Sequence, residues 1–322
     1  MPAAIAAAHC AVLGSLLRTV RAAVEGGCRA AIDAIPSGAG KDAGIAAGER
    51  AAQELLARRA EDGALAPDVL RPFTVPGRYV PTAPPASPQW GERRPWLMAS
   101  PSELRPAAPP ALASERWARD YAEVKALGGA ASTRRSIEQT AVARFWETTH
   151  PVIYHALLRG YADRPGRDLI RNTRLFAAYA QAIDDAMIAT FEAKYHHAFW
   201  RPVTAIRNGD QDGNEATERD AGWTSFVPTP MHPEYPCAHC VQAGVLAAVV
   251  EGDNGTATLP ELVTASPSAA GAKRRWTSTD AFVREVADAR VWDGVHYRFS
   301  SEAGVELGRQ VGALAVRRFL SP

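Results

Sequence analysis

Residues 168–207 of this chain read DLIRNTRLFAAYAQAIDDAMIATFEAKYHHAFWRPVTAIR. Apolar residues recur through the stretch at helical spacing, and neither Gly nor Pro interrupts it before Pro202. This pattern predicts one long α-helix that begins near Asp168. Pro202 should kink or end the helix, because proline lacks a backbone N–H and its ring clashes with the preceding turn.

The rest of the chain shows the same preference for helix. No stretch alternates apolar and polar residues as a strand does, and no segment of 20–50 residues repeats. The sequence therefore predicts an all-α protein. Further helices are predicted at 3–33, 43–59, 114–128, 136–146, 151–162, 239–251, 279–288 and 300–319.

The 322 residues are expected to form a single domain, with two regions inside it. Residues 1–112 comprise N-terminal helices and a proline-rich wrap, and 113–322 comprise the core that carries the chemistry. Residues 66–112 hold twelve prolines together with Trp90 and Trp96. So much tryptophan is unusual in a free linker, so we expect this segment to pack on the helices.

Composition excludes several classes of protein. With 47% hydrophobic and 22% charged residues, a globular protein with a sizeable core is expected. The net charge of +1 gives no reason to expect a nucleic-acid partner. No apolar run approaches 18 residues, so no membrane span is predicted and the protein is expected to be soluble. The first residues lack a charged segment ahead of the apolar one, which argues against a signal peptide; truncation at the N-terminus is one interpretation of this start.

Four cysteines occur, and two of them stand in the stretch YPCAHC, residues 235–240. Cys10 and Cys28 lie in Ala-rich helical sequence and are expected to be small buried hydrophobic residues. A thioredoxin-like role for Cys237 and Cys240 lacks the expected βαβ pattern, although thiol–disulfide exchange stays open as an alternative. A zinc site is not expected, because Cys237, His239 and Cys240 lie on one tight turn and cannot all point at one ion. A haem-attachment site is not expected either, because it requires His directly after the second Cys, where Val241 stands.

Cations flank this stretch at informative spacings. Lys194 and Arg201 lie two helical turns apart and so share a face. A helix begins at 236–239, where backbone N–H groups form a ready site for an anion. Arg290 and His296 follow later in the chain. Permanent cations, a helix start and histidines are the groups that a tetrahedral oxyanion needs.

The order and spacing of these residues resemble the superfamily that joins type 2 phosphatidic acid phosphatases to vanadium-dependent haloperoxidases. Its three motifs appear as KYHHAFWRP (194–202), PCAH (236–239) and RVWDGVH (290–296). The flanking sequences FWRPVTAIRNGDQDGN and PTPMHPEYP look more like the bacterial haloperoxidase-like branch than the lipid phosphatases. The resemblance implies a helical bundle with a four-helix core and a vanadate or phosphate pocket at one end.

Roles for individual residues are carried over from this resemblance alone. Lys194, Arg201 and Arg290 would neutralise the oxygens of the oxyanion, together with Cys237 and the backbone N–H of Ala238. His296 would be the axial group, which is a vanadium ligand in a peroxidase and the nucleophile in a phosphatase. His239 would act as the acid–base residue.

Two positions depart from the family pattern. Cys237 stands where the family has Ser, and a thiol is a weak donor that peroxide can oxidise. A Cys237–Cys240 disulfide is one alternative, and it would act as an oxidative lock on the pocket. Ser300 stands where phosphatases often have an Asp that orients the axial histidine, a role that Asp293 or Glu302 could fill.

Other conspicuous residues have structural interpretations. His196 and His197 are expected to be structural or surface residues, and Trp200 is expected to lie in the core. Asp184 and Asp185 suggest a carboxylate motif, but Ile188 stands where its third acid belongs, so a role in helix packing or in a salt bridge is expected.

The first functional hypothesis is a haloperoxidase-like enzyme that binds vanadate and oxidises halide with hydrogen peroxide. An acid phosphatase acting on phosphate esters through a phosphohistidine is the alternative in the same pocket. A thiol–disulfide oxidoreductase and a non-catalytic anion-binding scaffold are alternatives of other classes. A homo-oligomer is compatible with the sequence; relatives are often exported, but the compartment of this chain stays open.

Overall fold

A computed structural model describes residues 1–70, 74–148 and 151–320, without the side chains of residues 151 and 152. The chain forms two compact units, Met1–Ala64 and Leu65–Pro322. The single domain expected for 1–322 stays a prediction.

The first unit consists of α1 (Pro2–Leu16), α2 (Arg21–Asp33) and α3 (Ala39–Arg59). Helix α1 packs closely on α3, where a Cβ on Gly48 would lie 2.2 Å from the Ala4 carbonyl oxygen. Within the described residues, no helix by itself has the length and apolar character needed to cross a membrane; the pair Pro2–Leu16 and Arg18–Asp33 meets both conditions only when its two bent members are taken together.

Two predictions for this unit are wrong. The continuous helix expected at 3–33 bends by 107° between Pro2–Leu16 and Arg18–Asp33. Cys10 and Cys28, expected to be buried free residues, form a disulfide with a Cα–Cα distance of 5.6 Å. The two observations are linked, because 18 residues of straight helix would separate these cysteines by about 27 Å.

The second unit holds the remaining helices and confirms the all-α prediction. Four of them, α7, α9, α10 and α11, pack together around α9. Helices α9 and α11 approach most closely, since a Cβ on Gly308 would lie 2.1 Å from the Val241 carbonyl oxygen. The helices are α4 (Glu115–Leu127), α5 (Ile137–Trp146), α6 (Pro151–Ala162), α7 (Leu169–His197), α8 (Pro202–Arg207), α9 (Ala238–Asn254), α10 (Thr279–Trp292) and α11 (Arg298–Ala315).

Local sequence explains where these helices begin and end. The side chains of Ser114, Ser136 and Asp168 accept hydrogen bonds from first-turn N–H groups and cap α4, α5 and α7. Helix α7 ends at His197, and Pro202 opens α8, as the break predicted at this proline requires.

A β-hairpin corrects the prediction that no strand is present. Strand β1 (Thr258–Ala265) pairs antiparallel with β2 (Lys273–Ser278), and Leu262 lies opposite Trp276. Pro260 and the Lys-Arg-Arg start of β2 conceal the alternation in the sequence. Tertiary packing stabilises the hairpin, because Leu259, Leu262 and Trp276 join the hydrophobic core.

The proline-rich segment packs on α7, as predicted. Asp185 is fully buried and accepts hydrogen bonds from three consecutive backbone N–H groups, beginning with that of Trp96 at 2.7 Å. Asp184 forms an ion pair with Arg93 at 2.8 Å. The two aspartates therefore have the structural role expected of them, and they hold the segment against the helix that carries Lys194.

Candidate oxyanion site

The predicted site residues come from five places in the second unit. Lys194 lies in the last turn of α7, Arg201 precedes α8, and Arg290 lies in the last turn of α10. Cys237, Ala238 and His239 form the start of α9, and His296 lies two residues before α11. All seven residues are buried. In a helical bundle the termini of several helices can lie together at one end of the bundle. Residues far apart in the sequence can therefore contribute to one site.

Aromatic packing fixes the backbone on both sides of the site. Trp117 lies against Trp200, with ring centroids 5.9 Å apart, and against Tyr297 at 5.0 Å. Phe199 contacts the same tryptophan at 5.7 Å. Trp200 is therefore a core residue, as predicted, and the cluster immobilises the neighbours of both Arg201 and His296.

The side chain of Lys194 is fully buried, and no carboxylate among the described residues lies at ion-pair distance from it. Its Nζ donates to the carbonyl oxygens of Pro233 at 2.9 Å and Glu234 at 2.8 Å. An ammonium has three donors, so these bonds use two of them. Burial lowers the pKa of Lys194 well below its usual range, and the charge of Arg201 lowers it further. An anion beside it would raise the pKa of Lys194 and so oppose both effects.

Arg201 is held mainly by backbone carbonyls. Its Nε donates to the His232 carbonyl oxygen at 3.0 Å, and Nη1 donates to that of Val295 at 2.7 Å. Nη1 also lies 3.3 Å from Nε2 of His296, and Nη2 lies 3.0 Å from Nδ1 of His232. Burial lowers the pKa of Arg201 to about 10. These contacts fix the guanidinium plane beside the imidazole of His296.

Arg290 has one neutralising partner and one open donor. Its Nη1 donates to the Trp146 carbonyl oxygen at 2.8 Å and to the carboxylate of Asp293. Its Nε has no hydrogen-bond partner among the described residues, although it is buried. Burial raises the pKa of Asp293 to about 7, while Arg290 acts in the opposite direction. The pair therefore leaves the buried Nε–H of the guanidinium available to a ligand.

The two histidines differ in their partners. Nδ1 of His296 lies 2.7 Å from Oε1 of Glu234. Nε2 of His239 is buried and has no partner within the described part of the chain. Burial lowers the pKa of both imidazoles well below the usual range; for His239 the largest charge effect in the same direction comes from Arg290, and for His296 it comes from Arg201. The buried Nε2 of His239 therefore has hydrogen-bonding capacity that no described residue uses.

The start of α9 has the disulfide that the sequence analysis named as an alternative, not the free thiol assigned to the oxyanion site. Cys237 and Cys240 form a disulfide, and the Cys237 sulfur accepts a hydrogen bond from the Cys240 N–H at 3.2 Å. The sulfur has no proton to donate to an oxyanion, which was the role assigned to a free thiol. Ala238 is not among the described residues with positive φ, so its methyl group is compatible with a position where the family has Gly.

The orienting carboxylate is not the one that the sequence suggested. Asp293 pairs with Arg290, and Glu302 pairs with Arg116 at 2.9 Å in an exposed position. Glu234 contacts His296 instead. Sequence reasoning missed it because it lies in HPEYP, 62 residues before His296, and only the tertiary fold brings the two together.

Comparison with known proteins agrees with this arrangement. Residues 174–321, which contain all three motifs, match the family model described as the VCPO second helical-bundle domain. These residues, just under half of the chain, are called the VCPO-type domain for this similarity. The resemblance to the vanadium-dependent haloperoxidases predicted from the motifs is thereby confirmed.

Relatives of the VCPO-type domain extend the comparison. The vanadium chloroperoxidase of Curvularia inaequalis is 29% identical over 154 residues, which are 39% of this chain and 25% of that protein. A bacterial vanadium-dependent iodoperoxidase structure has a TM-score of 0.70 at 23% identity, with 87% of this chain and 70% of that chain covered. A holo-type bacterial vanadium-dependent chloroperoxidase has a TM-score of 0.75 at 18% identity, with 99% and 83% covered. The structural matches show the fold; the sequence match spans a quarter of the fungal protein.

The VCPO-type domain brings together two further residues that the sequence analysis did not assign. Glu234 is fully buried, and burial raises its pKa to about 7 against the opposing charges of Arg201 and Lys194. His232 lies half-buried between Arg201 and Phe191, with its ring 5.5 Å from that of Phe191. Both residues lie in PTPMHPEYP, directly before the second motif, and the His and Glu in this segment were the only sign of them in the sequence.

Proposed function

We propose that this protein is a vanadium-dependent haloperoxidase that oxidises halide with hydrogen peroxide. The observation that carries the proposal is a set of three buried cations, Lys194, Arg201 and Arg290, next to the imidazole of His296. Such a site places positive charge in a low-dielectric region, where it interacts strongly with an anion. Two carboxylates, Glu234 and Asp293, offset only part of that charge.

The residues present fit a tetrahedral oxyanion such as vanadate. Arg290 Nε is a buried donor without a partner among the described residues, and Lys194 Nζ has one donor beyond its two carbonyl contacts. The start of α9 adds backbone N–H groups and the positive end of the helix dipole. Lys194, Arg201, Arg290 and Ala238 would hold the oxygens, and Nε2 of His296 is the nitrogen available as a vanadium ligand.

Bound vanadate supplies a Lewis-acidic centre that activates hydrogen peroxide toward a halide. The chain supplies charge and proton transfer. His239 has a buried Nε2 that no described residue contacts by a hydrogen bond, and burial lowers its pKa, so its neutral imidazole can accept a proton from peroxide. Arg201 and Arg290 keep their charge throughout, so they stabilise negative charge without taking part in proton exchange.

The disulfide removes one objection to peroxidase chemistry. Peroxide would oxidise a free thiol stepwise to the sulfenic, sulfinic and sulfonic acids. In the Cys237–Cys240 disulfide neither sulfur is a thiol, and both cysteines are fully buried. The site therefore lacks the conventional hydroxyl donor but also lacks an oxidisable thiolate.

Acid phosphatase activity is the second candidate, and one observation favours it. The sequence offered Asp293 or Glu302 as the carboxylate that orients the axial histidine, but Glu234 lies 2.7 Å from its Nδ1 instead. A carboxylate–histidine pair raises the nucleophilicity of the imidazole, which phosphohistidine formation requires. Phosphate and vanadate have similar shape and charge, so one pocket suits both.

The alternatives of other classes have less support. Thiol–disulfide exchange needs an accessible sulfur, whereas Cys237 and Cys240 are both fully buried. A non-catalytic anion-binding scaffold would use the same cations but would not need a histidine with an available buried nitrogen.

Peroxide-dependent bromination of a phenolic dye tests the proposal. The protein is purified without phosphate and assayed with and without orthovanadate. We expect activity only with vanadate, and loss of that activity in His296→Ala. Hydrolysis of p-nitrophenyl phosphate by the vanadate-free protein is measured in parallel. Bromination that is absent in folded, vanadate-saturated protein would reject the peroxidase, and ester hydrolysis lost in His296→Ala would support the phosphatase.

A further inference from the structure

We propose that Glu234 is the positioning residue for His296: its carboxylate holds the proton on Nδ1 and thereby keeps the lone pair of Nε2 available to the oxyanion. The inference deepens the proposed function and rests on it, since it names the group that prepares the axial ligand. The hydrogen-bond geometry inside the site carries it.

The carboxylate of Glu234 is itself held in place. Oε1 lies 2.7 Å from Nδ1 of His296 and accepts a second hydrogen bond from the Tyr297 N–H at 3.2 Å. Glu234 and His296 are both almost completely buried, with 0% and 1% of their surface exposed. Water therefore does not compete for the contact, and a buried hydrogen bond between fixed groups controls the orientation of the ring.

The other side of the imidazole determines which tautomer is present. Nη1 of Arg201 lies 3.3 Å from Nε2. A guanidinium has only donors, so Nε2 must be the acceptor nitrogen and Nδ1 must carry the proton. Glu234 is then the acceptor of that proton's hydrogen bond. Both neighbours thus favour the same tautomer, and the 2.7 Å contact with Glu234 is shorter than the 3.3 Å contact with Arg201, so we expect Glu234 to decide it.

The main chain of Glu234 links this contact to the cations. Its N–H donates to the Phe199 carbonyl oxygen at 2.9 Å, and its own carbonyl accepts from Nζ of Lys194 at 2.8 Å. One residue therefore contacts Lys194 through its backbone and His296 through its side chain. Displacing Glu234 should disturb both groups together, which distinguishes it from a carboxylate that only balances charge.

The test compares Glu234→Gln, Glu234→Ala and a control, Asp212→Asn. The first variant keeps an acceptor for Nδ1–H but removes the charge, whereas the second removes the acceptor. Asp212 is a buried carboxylate that accepts from Trp117 Nε1 at 2.8 Å and belongs to no part of the proposed pocket. Circular dichroism and thermal melting establish which variants are folded.

The first readout is the tautomer of His296, from ¹⁵N chemical shifts of protein labelled in histidine and assigned with His296→Gln. We expect the Nδ1–H form in wild type and Glu234→Gln, and a mixture of tautomers in Glu234→Ala. This measurement needs no vanadate, so it can be made even if the proposed function fails. A wild-type His296 protonated on Nε2 would overturn the inference.

The second readout is orthovanadate affinity by calorimetry. Removing the hydrogen-bond partner of a metal ligand lowers affinity about 10- to 100-fold, so we expect this loss in Glu234→Ala, a smaller one in Glu234→Gln, and none in Asp212→Asn. If Glu234→Ala does not fold, the conclusion rests on Glu234→Gln, which must retain the Nδ1–H form and bind orthovanadate more weakly than wild type; wild-type affinity in Glu234→Gln would then overturn the inference. Wild-type affinity in Glu234→Ala with an unchanged tautomer would overturn the inference. Wild type that binds no vanadate would count against the proposed function alone.

Discussion

The two ends of α9 differ in how nearby buried charges are neutralised. At its C-terminal end Asp253 accepts hydrogen bonds from Arg167 at 2.5 Å, from Arg171 at 3.1 Å and from the Tyr161 hydroxyl at 2.7 Å. Burial raises the pKa of Asp253, but these hydrogen bonds outweigh it and the net shift is downward. At the N-terminal end, Lys194 and Arg201 donate mainly to neutral carbonyls.

The difference separates charge that stabilises the fold from charge that prepares a site. Arginines near the C-terminus of a helix are favoured by its dipole, and Asp253 neutralises them there. Cations beside the N-terminus oppose the dipole and each other, and Lys194 shows this in a pKa lowered by burial and by Arg201. A bound anion would relieve that arrangement, so under the proposed function the N-terminal end of α9 is organised for a ligand at some cost in stability.

The largest effect should come from removing a cation at the N-terminal end. Lys194→Met should lower orthovanadate affinity about 100-fold, because truncating a buried, hydrogen-bonded charge in a binding site costs about 3 kcal/mol. Calorimetry measures the affinity. Arg167→Met is the matched control, since Arg167 is also buried but lies at the other end of α9. An equal loss of affinity in both variants would contradict the distinction between the two ends.

The converse change removes the neutralising acid at the C-terminal end. Asp253→Asn should lower the free energy of unfolding by about 3 kcal/mol, because it leaves the buried guanidinium of Arg167 without a counter-charge. Urea denaturation measures this loss. Vanadate affinity of the folded variant should equal that of wild type. An unchanged unfolding midpoint would show that this charge network contributes nothing to stability.

The disulfide at the N-terminal end should affect binding moderately. In Cys237→Ser/Cys240→Ser the new hydroxyl at position 237 restores a donor for the oxyanion. Affinity should rise about tenfold, since a hydrogen bond to a charged group contributes about 1.5 kcal/mol. The control is Cys10→Ser/Cys28→Ser, which removes the disulfide of the first unit and should leave affinity unchanged. Weaker binding in the first variant would indicate that the disulfide itself shapes the pocket.

The smallest effect should be the pH dependence contributed by Asp253. Its pKa is lower in the folded protein, so its stabilisation is present above the unfolded pKa of about 4 and is lost as pH falls through the folded value. Unfolding free energies of wild type and Asp253→Asn should therefore converge on acidification from about pH 5. A gap that stays constant down to about pH 2 would exclude this carboxylate as the titrating group.

Local signals in the sequence predicted most helices well. Ser114, Ser136 and Asp168 marked helix starts that the structure confirms, because capping depends on neighbours three residues away. The break in 3–33 was not predictable in this way, since it accompanies a disulfide between residues 18 apart. The β-hairpin was missed for a similar reason: its apolar residues are stabilised by the helical core rather than by their own pattern.

By itself, the sequence determined the helical class, the segments that carry the cations and histidines, and the family that residues 174–321 resemble. These depend on residue type and short spacing. Only the tertiary structure decided that Glu234 rather than Asp293 or Glu302 contacts His296, and that Cys237 is joined to Cys240. Hydrogen bonds between residues far apart in the chain are set by how helix ends meet, and no local pattern records that geometry.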